Sequence, residues 1–513
     1  MQLRLESRLK SQPQRYKEYN AFLAEYERLG HMAKVQNQDK SKDHSIYLPH
    51  HTVIRESSTT THLRVVFNGS HPTSNGQSLN DHLMIGPKLH VELPSILMRW
   101  RLFRYVYTAD ITKMYRQILV HPLDNDYQRI VWRPSVYSSV QDYKLLTVTY
   151  GTASAPYLAL RVLQQLATDE GSKFPLAVPI LRQHTYIDNC VFGADDIPLA
   201  LSTKEQLISL LSKAGFQLRK WVSNTPALLE GIDPTDHGLA SQKSLQVDDH
   251  VKVLGIKWNP SNDAFQFEVT LSNSFPNTKR SILSTIAKFF DPLGLLTPVV
   301  ILAKIIMQQL WLRRYNWDEI IDNEIRIKWQ DYYSELDCLR DFSIPRWTGH
   351  GSDTIAIELH GFADASTAAY GAVVYLKLIK IDGSTNITLL TAKSKAPLKP
   401  MSIPRLELCA TVLLARTLTF TQITLDLKNA DCHCWTDSTV ALTWLNQSSS
   451  RWKIFVANRV HFVQTQLPDA IWHHVPSKEN PADLASRGVK PSYLKNQALW
   501  WEGPARLKLS SDQ

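Results

Sequence analysis

Cysteine is scarce in this sequence. Five cysteines occur among 513 residues, and their spacing is not that of a disulfide framework, which favours a reduced, intracellular chain. The run Cys432-His433-Cys434 resembles a cluster of metal ligands. The sequence has no second ligand pair at the spacing that zinc sites use, so this run does not predict a zinc site.

Long apolar runs are also absent. The N-terminal segment MQLRLESRLK lacks the apolar core of a signal peptide, and the longest apolar run, Pro298–Met307, is short and contains Lys304. We therefore expect no signal peptide, no transmembrane helix and no membrane partner. The expected location is inside the cell, in a cytoplasmic particle or the nucleus.

The tripeptides Asp-Thr-Gly and Asp-Ser-Gly do not occur. An aspartic peptidase needs one of them to position two carboxyl groups around a shared water. Intrinsic peptidase activity is therefore not expected.

Positive charge and aromatic side chains are abundant. Lysine and arginine total 57 against 48 acidic residues, a net charge of +9, and the chain holds 14 tryptophans and 19 tyrosines. A basic surface favours a polyanionic partner, nucleic acid first. With 43% hydrophobic residues, a chain of this length can form about three globular domains.

Two acids end apolar strands in the N-terminal half. The pattern of His184–Gly193 predicts two short strands joined by a turn at Asp188–Asn189, and Asp110 closes the predicted strand Tyr105–Ala109. A rigid strand end can hold a carboxylate as a metal ligand, although either acid alone is more typical of a hairpin tip or a helix cap. Strands and helices alternate from Tyr47 to about Trp258, which indicates an α+β fold with helices on one face of an antiparallel sheet.

Four further acids occur in a second pattern of strands and helices. Asp364 and Asp437 end predicted strands, while Glu407 and Asp483 lie on predicted helices. On a β-β-β-α-β-α frame these four side chains converge at one edge of the sheet. Their mutual repulsion is relieved by bound cations, so the pattern favours a two-metal nuclease.

Several motifs occur in a fixed order along the chain. They are RVVFNGS (Arg64–Ser70), ADITKMYRQI (Ala109–Ile118), YGTASAPYLA (Tyr150–Ala159), YIDN (Tyr186–Asn189), RSILSTIAKFFDPLGLLTPVVILAKIIMQQLW (Arg280–Trp311), IPRLELCA, WTDSTVALTWL and HVPSKENPADLASRG. With these motifs the chain, from about Tyr47 to Trp501, resembles the Pol polyprotein of BEL/Pao-type LTR retrotransposons, reverse transcriptase followed by RNase H.

The resemblance implies a multidomain α+β protein, a right-hand polymerase followed by a mixed-sheet nuclease domain. The implied division is a helical N-terminal lead at 1–46, reverse transcriptase fingers and palm at 47–270, a helical thumb or connection at 271–345, an RNase H-like domain at 346–490 and a C-terminal tail at 491–513.

The resemblance also implies roles for individual residues. Asp110 and Asp188 match the metal-binding aspartates of the polymerase, Tyr115 the aromatic residue that excludes a ribose 2′-hydroxyl, Arg64 the contact to the triphosphate, and Gly151 the turn beneath the nascent base pair. The four acids of the second half match the metal ligands of RNase H. The implied cofactor is Mg²⁺, with Mn²⁺ possible, and the implied partners are an RNA template, a DNA primer, dNTPs and RNA–DNA hybrid.

Two residues depart from the family pattern. Asn189 stands where the hairpin normally has a second Asp, and Asn68 stands where Asp normally follows RVVF. Each change removes a negative charge, so we expect weaker Mg²⁺ binding at the polymerase site.

Three interpretations follow. The chain is an active nucleotidyltransferase and ribonuclease H, or a degenerate or co-opted copy that binds nucleic acid without polymerising, or a region that carries a Pao-type peptidase label without a peptidase site. It is expected to be a fragment of a longer polyprotein or a truncated copy, and its oligomeric state is left open.

Overall fold

The computed structural model describes most of the chain, with helices packed on several separate β-sheets. The multidomain α+β prediction is confirmed. The structure describes residues 2–36, 45–54, 63–135, 137–238, 251–271 and 274–508.

Helices and strands alternate through the first half of the chain. Their bounds are α1 (Gln2–Lys10), α2 (Pro13–Arg28), β1 (Met32–Lys34), β2 (His50–Ile54), β3 (Leu63–Phe67), α3 (Leu79–His82), α4 (Leu93–Trp100), β4 (Tyr105–Ile111), β5 (Arg129–Trp132), β6 (Gln141–Leu145), α5 (Ala155–Asp169), α6 (Ala177–Gln183), β7 (Thr185–Tyr186), β8 (Asn189–Ala194), α7 (Ile197–Lys213) and β9 (Leu218–Ser223).

A small sheet (β10–β13), a helical segment (α8–α10) and a longer sheet (β14–β18) make up most of the second half of the chain. Their bounds are β10 (Val251–Val253), β11 (Ile256–Asn259), β12 (Ala264–Gln266), α8 (Lys279–Ile286), α9 (Thr297–Leu312), α10 (Asn323–Ser334), β13 (Ile344–Pro345), β14 (Thr354–Ala365), β15 (Tyr370–Lys380), β16 (Thr385–Lys395), α11 (Ile403–Leu425), β17 (Asp431–Thr436), α12 (Thr439–Leu445), α13 (Ile454–Gln466), β18 (Ile471–His474), α14 (Ala482–Arg487), α15 (Pro491–Leu494) and α16 (Ala498–Glu502).

The N-terminal segment is not purely helical, contrary to the prediction for 1–46. Strand β1 pairs with β6, with Met32 opposite Leu145. The apolar stripe of α2 is buried in the same core as β3, where Leu23 and Tyr26 lie with Phe67. The N-terminal segment therefore packs against the β1-β6-β5 and β2-β3 sheets, because the apolar face of α2 needs a sheet to cover it.

The palm-like layer is an antiparallel sheet in the order β7-β8-β4-β9, backed by α5 and α7. The hairpin prediction is wrong by one residue. Tyr186 pairs with Asn189, so the turn is Ile187–Asp188. The backbone N–H of Ile111 donates to the Asp188 carbonyl at 2.7 Å, which ties the turn to β4 and determines this register.

The motif DPLG joins α8 to α9 in a tight turn. The Asp291 carboxylate accepts backbone N–H groups of Leu295 and Leu296 at 2.9 and 2.7 Å. Gly294 has φ +75°, and a Cβ there would lie 1.8 Å from the carbonyl oxygen of Ala392 on β16. Only glycine fits this position, and the close approach packs α9 against the β14–β18 sheet.

The longer sheet has the order β16-β15-β14-β17-β18, in which β14–β17 and β17–β18 are parallel and the other pairs antiparallel. A Cβ on Gly361 would touch Leu414 of α11, whereas one on Gly371 would touch Ala485 of α14. Gly371 is paired with Asp364, which lies three positions after Gly361 on β14, so the two glycines point to opposite faces. Helices α11 and α14 therefore cover opposite faces of this sheet.

Among the described residues, α11 is the one helix with the length and composition to cross a membrane, yet most of it is buried as the central helix of this domain. The predicted C-terminal tail also packs inside. Trp500 on α16 is fully buried, and its indole N–H donates to the carbonyl of Leu295 at 2.9 Å. The domain boundaries themselves remain predictions.

Two buried arginines join the three parts of the chain. The Arg346 guanidinium is fully buried, makes two 2.7 Å bonds to Asp263 beside the small sheet, and donates to the Trp100 carbonyl of α4 at 2.5 Å. Arg101 donates to the Arg346 carbonyl at 3.0 Å and to the Leu389 carbonyl of β16 at 2.8 Å. Helix α4, the small sheet and the β14–β18 sheet therefore meet at these side chains.

The substitution Asp263→Asn tests this junction. It keeps the shape and suits the left-handed backbone there (φ 51°), but it leaves the buried Arg346 charge unpaired. We expect a loss of about 3 kcal/mol in the free energy of unfolding by urea denaturation. The control is Asp318→Asn in the solvent-exposed pair with Arg280, which should change the stability far less because water screens that pair. Equal effects would contradict the role of the junction.

Candidate active sites

The four acids of the second half converge at one edge of the β14–β18 sheet. Asp364 lies near the end of β14, Asp437 follows the parallel neighbour β17, Glu407 lies in the second turn of α11 and Asp483 in α14. Burial raises the pKa of Asp364 to about 7, and the negative charges of Asp437 and Asp483 contribute to the rise. Burial also raises the pKa of Glu407, with Asp437 adding to it. The predicted convergence is therefore present in the fold, while the catalytic roles stay predictions.

Each of these carboxylates accepts a hydrogen bond from a nearby side chain that the sequence reasoning missed. The donors lie in the motifs WTDSTVALTWL and HVPSKENPADLASRG, and only Arg487 lies within one helical turn of the acid that it bonds. The pairs are Ser486 with Asp364, Ser438 with Glu407 (2.5 Å), Ser477 with Asp437 (2.6 Å) and Arg487 with Asp483. The three serine hydroxyls orient Asp364, Glu407 and Asp437 without adding charge, whereas the Arg487 guanidinium forms an ion pair with Asp483.

The donor set of this cluster fits a divalent cation. The Oδ1 atom of Asp437 is buried and has no hydrogen-bond partner among the described residues. A buried oxygen without a partner is costly, and a cation is one way to satisfy it. Carboxylate oxygens are the ligands that Mg²⁺ and Mn²⁺ prefer.

Asp110 and Asp188 also lie together. Asp110 is in register with Asn189 on β8, directly beside the turn that carries Asp188. Burial raises the pKa of Asp188, and the Asp110 carboxylate raises it further. The structure thus brings the two predicted polymerase acids to one sheet edge.

Both polymerase acids already have nitrogen donors. The Lys220 ammonium on β9 lies 3.0 Å from Asp110 Oδ2, and the Asn189 amide donates to Asp188 Oδ1 at 2.9 Å. Lys220 and Ile187 both have left-handed backbones, with φ of 56° and 57°. This set fits a divalent cation less well than the four-acid cluster. Sequence patterns gave no signal for Lys220, because its approach to Asp110 depends on a bulge in the β4–β9 pairing.

Of the three predicted nucleotide-site residues, Tyr115 lies near these acids. Tyr115 lies in a short 3₁₀ turn, and its pKa is raised by burial and by the Asp188 carboxylate, which places it near the acids. Gly151 has φ +101°, and a Cβ there would lie 2.1 Å from the Phe67 carbonyl. Arg64 is exposed on the same strand as Phe67. The predicted functions of these three residues are untested.

Helix α2 holds the turn that carries Tyr115, a contact that the sequence did not indicate. The Arg116 guanidinium lies over the rings of Phe22 and Tyr26 at 4.8 and 4.5 Å. Beside it, Lys113 pairs with Glu25 at 2.5 Å. Cation–π contacts of this kind stabilise a planar arginine more than a flexible lysine.

A comparison with protein families matches residues 278–438 to the Pao retrotransposon-like RNaseH-like domain. This interval includes Asp364, Glu407 and Asp437 and ends before Asp483. A comparison with curated proteins finds no match.

Solved structures of a foamy viral protease-reverse transcriptase share the fold. The complex with double-stranded DNA has a TM-score of 0.54 at 12% identity, covering 90% of this chain and 83% of that chain. The dRH form with double-stranded DNA has a TM-score of 0.53 at 12% identity, covering 88% and 68%. The complex with RNA/DNA hybrid has a TM-score of 0.53 at 11% identity, covering 89% and 52%. At these identities the likeness establishes the fold alone.

The raised pKa of Asp364 predicts a pH dependence of stability. Between about pH 4 and pH 7 the folded protein holds this proton and the unfolded chain has lost it, so stability falls as pH rises through that window. In EDTA, Asp364→Asn should therefore melt at a higher temperature than the wild type at pH 8, and the difference should disappear near pH 4. Thermal unfolding at several pH values measures this, and millimolar Mg²⁺ should reduce the difference at pH 8. A pH-independent difference would contradict it.

Proposed function

We propose that this chain, which shares the fold of a reverse transcriptase and matches an RNaseH-like domain family over residues 278–438, is an RNA-directed DNA polymerase joined to a ribonuclease H. The observation that carries the proposal is the four-acid cluster at the edge of the β14–β18 sheet, with its buried and unpartnered Asp437 oxygen. The basic chain and the nucleic-acid complexes of its structural neighbours support a nucleic-acid partner.

In the proposed nuclease, Asp364, Glu407, Asp437 and Asp483 hold divalent cations, with Mg²⁺ as the physiological ion and Mn²⁺ as a substitute. When bound, these ions activate a water and neutralise the charge that develops on the scissile phosphate. The serine donors keep three of the carboxylates oriented toward that position. The proposed substrate is the RNA strand of an RNA–DNA hybrid, distinguished by its 2′-hydroxyls.

Cleavage of a labelled RNA–DNA hybrid tests the nuclease. Asp437→Asn should lower the rate at least about 100-fold, because it removes a charged ligand from a site built around cations. The matched control is Asp469→Asn, an exposed acid on the loop after α13, which should cleave like the wild type. No cleavage by the wild type in Mg²⁺ or Mn²⁺, or equal rates for both variants, would refute the nuclease.

In the proposed polymerase, Asp110 and Asp188 hold the cations that activate the primer 3′-hydroxyl. Tyr115 excludes the ribose 2′-hydroxyl, Arg64 contacts the triphosphate of the incoming dNTP, and Gly151 lets the backbone pass beneath the nascent base pair. The nearness of Tyr115 to Asp188 supports this arrangement. Asn189 leaves the site with one carboxylate fewer than the family pattern.

Primer extension on an RNA template tests the polymerase. Asn189→Asp should raise extension about tenfold or more at low Mg²⁺, because it restores a charged ligand and removes an amide donor from Asp188. The difference should shrink at high Mg²⁺ or in Mn²⁺. Equal extension at every metal concentration would show that Asn189 does not limit the site.

A second candidate function is nucleic-acid binding without polymerisation. The ion pair of Lys220 with Asp110 and the amide of Asn189 favour it, because together they occupy the oxygens that a cation needs. Hybrid binding by gel shift without extension, in the wild type and in the Asn189→Asp, Lys220→Met double variant, would support this function. Full wild-type extension would exclude it.

A further inference from the structure

Strand alternation divides the run Cys432-His433-Cys434 between two faces of the β14–β18 sheet. In the parallel β14–β17 register, Cys434 is opposite Gly361, which faces α11, and His433 is opposite His360, which points to the other face. The His433 side chain therefore points away from the face of the two cysteines and lies beside side chains of adjacent strands.

Three ligand-type side chains meet on that face. The nearest ligand atoms of Glu358, His360 and His433 all lie within 4.8 Å of one another. The rings of His360 and His433 are stacked at 4.9 Å between centroids. A fourth side chain, His473 on β18, places its Nε2 3.1 Å from His433 Nδ1. Three neighbouring strands thus contribute to one cluster.

The protonation states suit metal binding. Burial lowers the pKa of His360, His433 and His473, so their imidazoles are neutral at physiological pH and keep lone pairs. The hydrogen bond from His360 and the positive charge of Lys377 lower the pKa of Glu358 to about 2, so its carboxylate is anionic. A metal requires these forms of its ligands.

We propose that Glu358, His360, His433 and His473 form a binding site for one divalent transition-metal ion of the zinc class. Imidazole nitrogens with one carboxylate suit Zn²⁺, whereas Mg²⁺ prefers oxygen ligands. Zinc–nitrogen bonds of about 2.0 Å place ligand atoms about 3.3 Å apart in a tetrahedron, so the side chains must move inward by small rotations. The strands that carry them are paired in one sheet and need not move.

Two side chains beside the cluster, Lys377 and Trp435, would respond to a bound ion. The Lys377 ammonium lies 3.2 Å from Glu358 Oε2 and competes with a cation for that carboxylate. The Trp435 indole N–H lies 3.3 Å from His360 Nδ1, which must accept, so the His360 Nε2 proton donates to Glu358 at 2.8 Å. Coordination through Nε2 requires the proton on Nδ1 instead, and Trp435 then loses its acceptor.

The site is separate from the nuclease acids. His360 precedes Asp364 by four residues on the same face of β14, which corresponds to about 13 Å along the strand. An ion held there would connect β14, β17 and β18 beside the ends that present Asp364 and Asp437. Its effect is to brace these strands, and it is independent of whether the chain polymerises or cleaves.

Zinc binding by the full chain tests the proposal. The background is Cys338→Ser, because Cys338 is an exposed free thiol, and millimolar Mg²⁺ occupies the acid clusters. Calorimetric titration with Zn²⁺ should find one site whose affinity falls at least about tenfold in His433→Ala and is retained in Asp364→Asn. Lys377→Met should raise the affinity for Zn²⁺.

Two spectroscopic measurements identify the ligands. Co²⁺ in place of Zn²⁺ should give absorption without a thiolate charge-transfer band, and zinc should change tryptophan emission unless Trp435 is replaced by Phe.

The site is refuted by the absence of saturable zinc binding in the wild type, by unchanged affinity in His433→Ala, or by loss of binding in Asp364→Asn. A thiolate band would assign the metal to Cys432 and Cys434 and would also refute the proposal. If His433→Ala does not fold by circular dichroism, His473→Gln on the half-exposed edge strand replaces it with the same expectation.

Discussion

The buried charge of Arg346 constrains how the parts of this chain are arranged. A guanidinium taken out of water is stable only when its donors are satisfied. Here the acceptors come from Asp263 beside the small sheet and from the backbone at Trp100, while Arg101 extends the contact to Leu389 on β16. Because these acceptors belong to three different parts of the chain, the buried charge stabilises the arrangement in which helix α4, the small sheet and the β14–β18 sheet lie side by side. The two acid clusters inherit that placement.

The two clusters balance negative charge in different ways. At the nuclease edge, serine hydroxyls orient three carboxylates without neutralising them, and the pKa of Asp364 rises to about 7. At the polymerase edge, an ammonium and an amide already compensate the two aspartates, and strained backbones at Ile187 and Lys220 hold them there. Such backbones cost about 1 to 3 kcal/mol each and persist where the surroundings enforce them. The four-acid edge therefore keeps more uncompensated negative charge than the edge with Asp110 and Asp188, even though Arg487 pairs with Asp483.

Much of the fold and of the site could be predicted from local patterns and ordered motifs. The strand before Asp110 and the mixed sheet carrying Asp364 and Asp437 follow from the sequence, because their apolar periodicity matches the faces they bury. The hairpin turn was placed one residue late. Asp-Asn is locally the better turn pair, but the bond from Ile111 N–H to the Asp188 carbonyl puts the β-branched Ile187 in the left-handed position.

The amino-acid sequence by itself determined the residue types of both acid clusters, the alternation that aims them at a sheet edge and the loss of one charge at Asn189. Only the tertiary structure decided their partners. A bulge brings Lys220 to Asp110, Tyr26 of α2 packs against the Arg116 guanidinium, and His433 stacks on His360 instead of lying beside its flanking cysteines. These contacts join residues far apart in the chain. Their geometry follows from strand register and packing, which no local pattern of residues encodes.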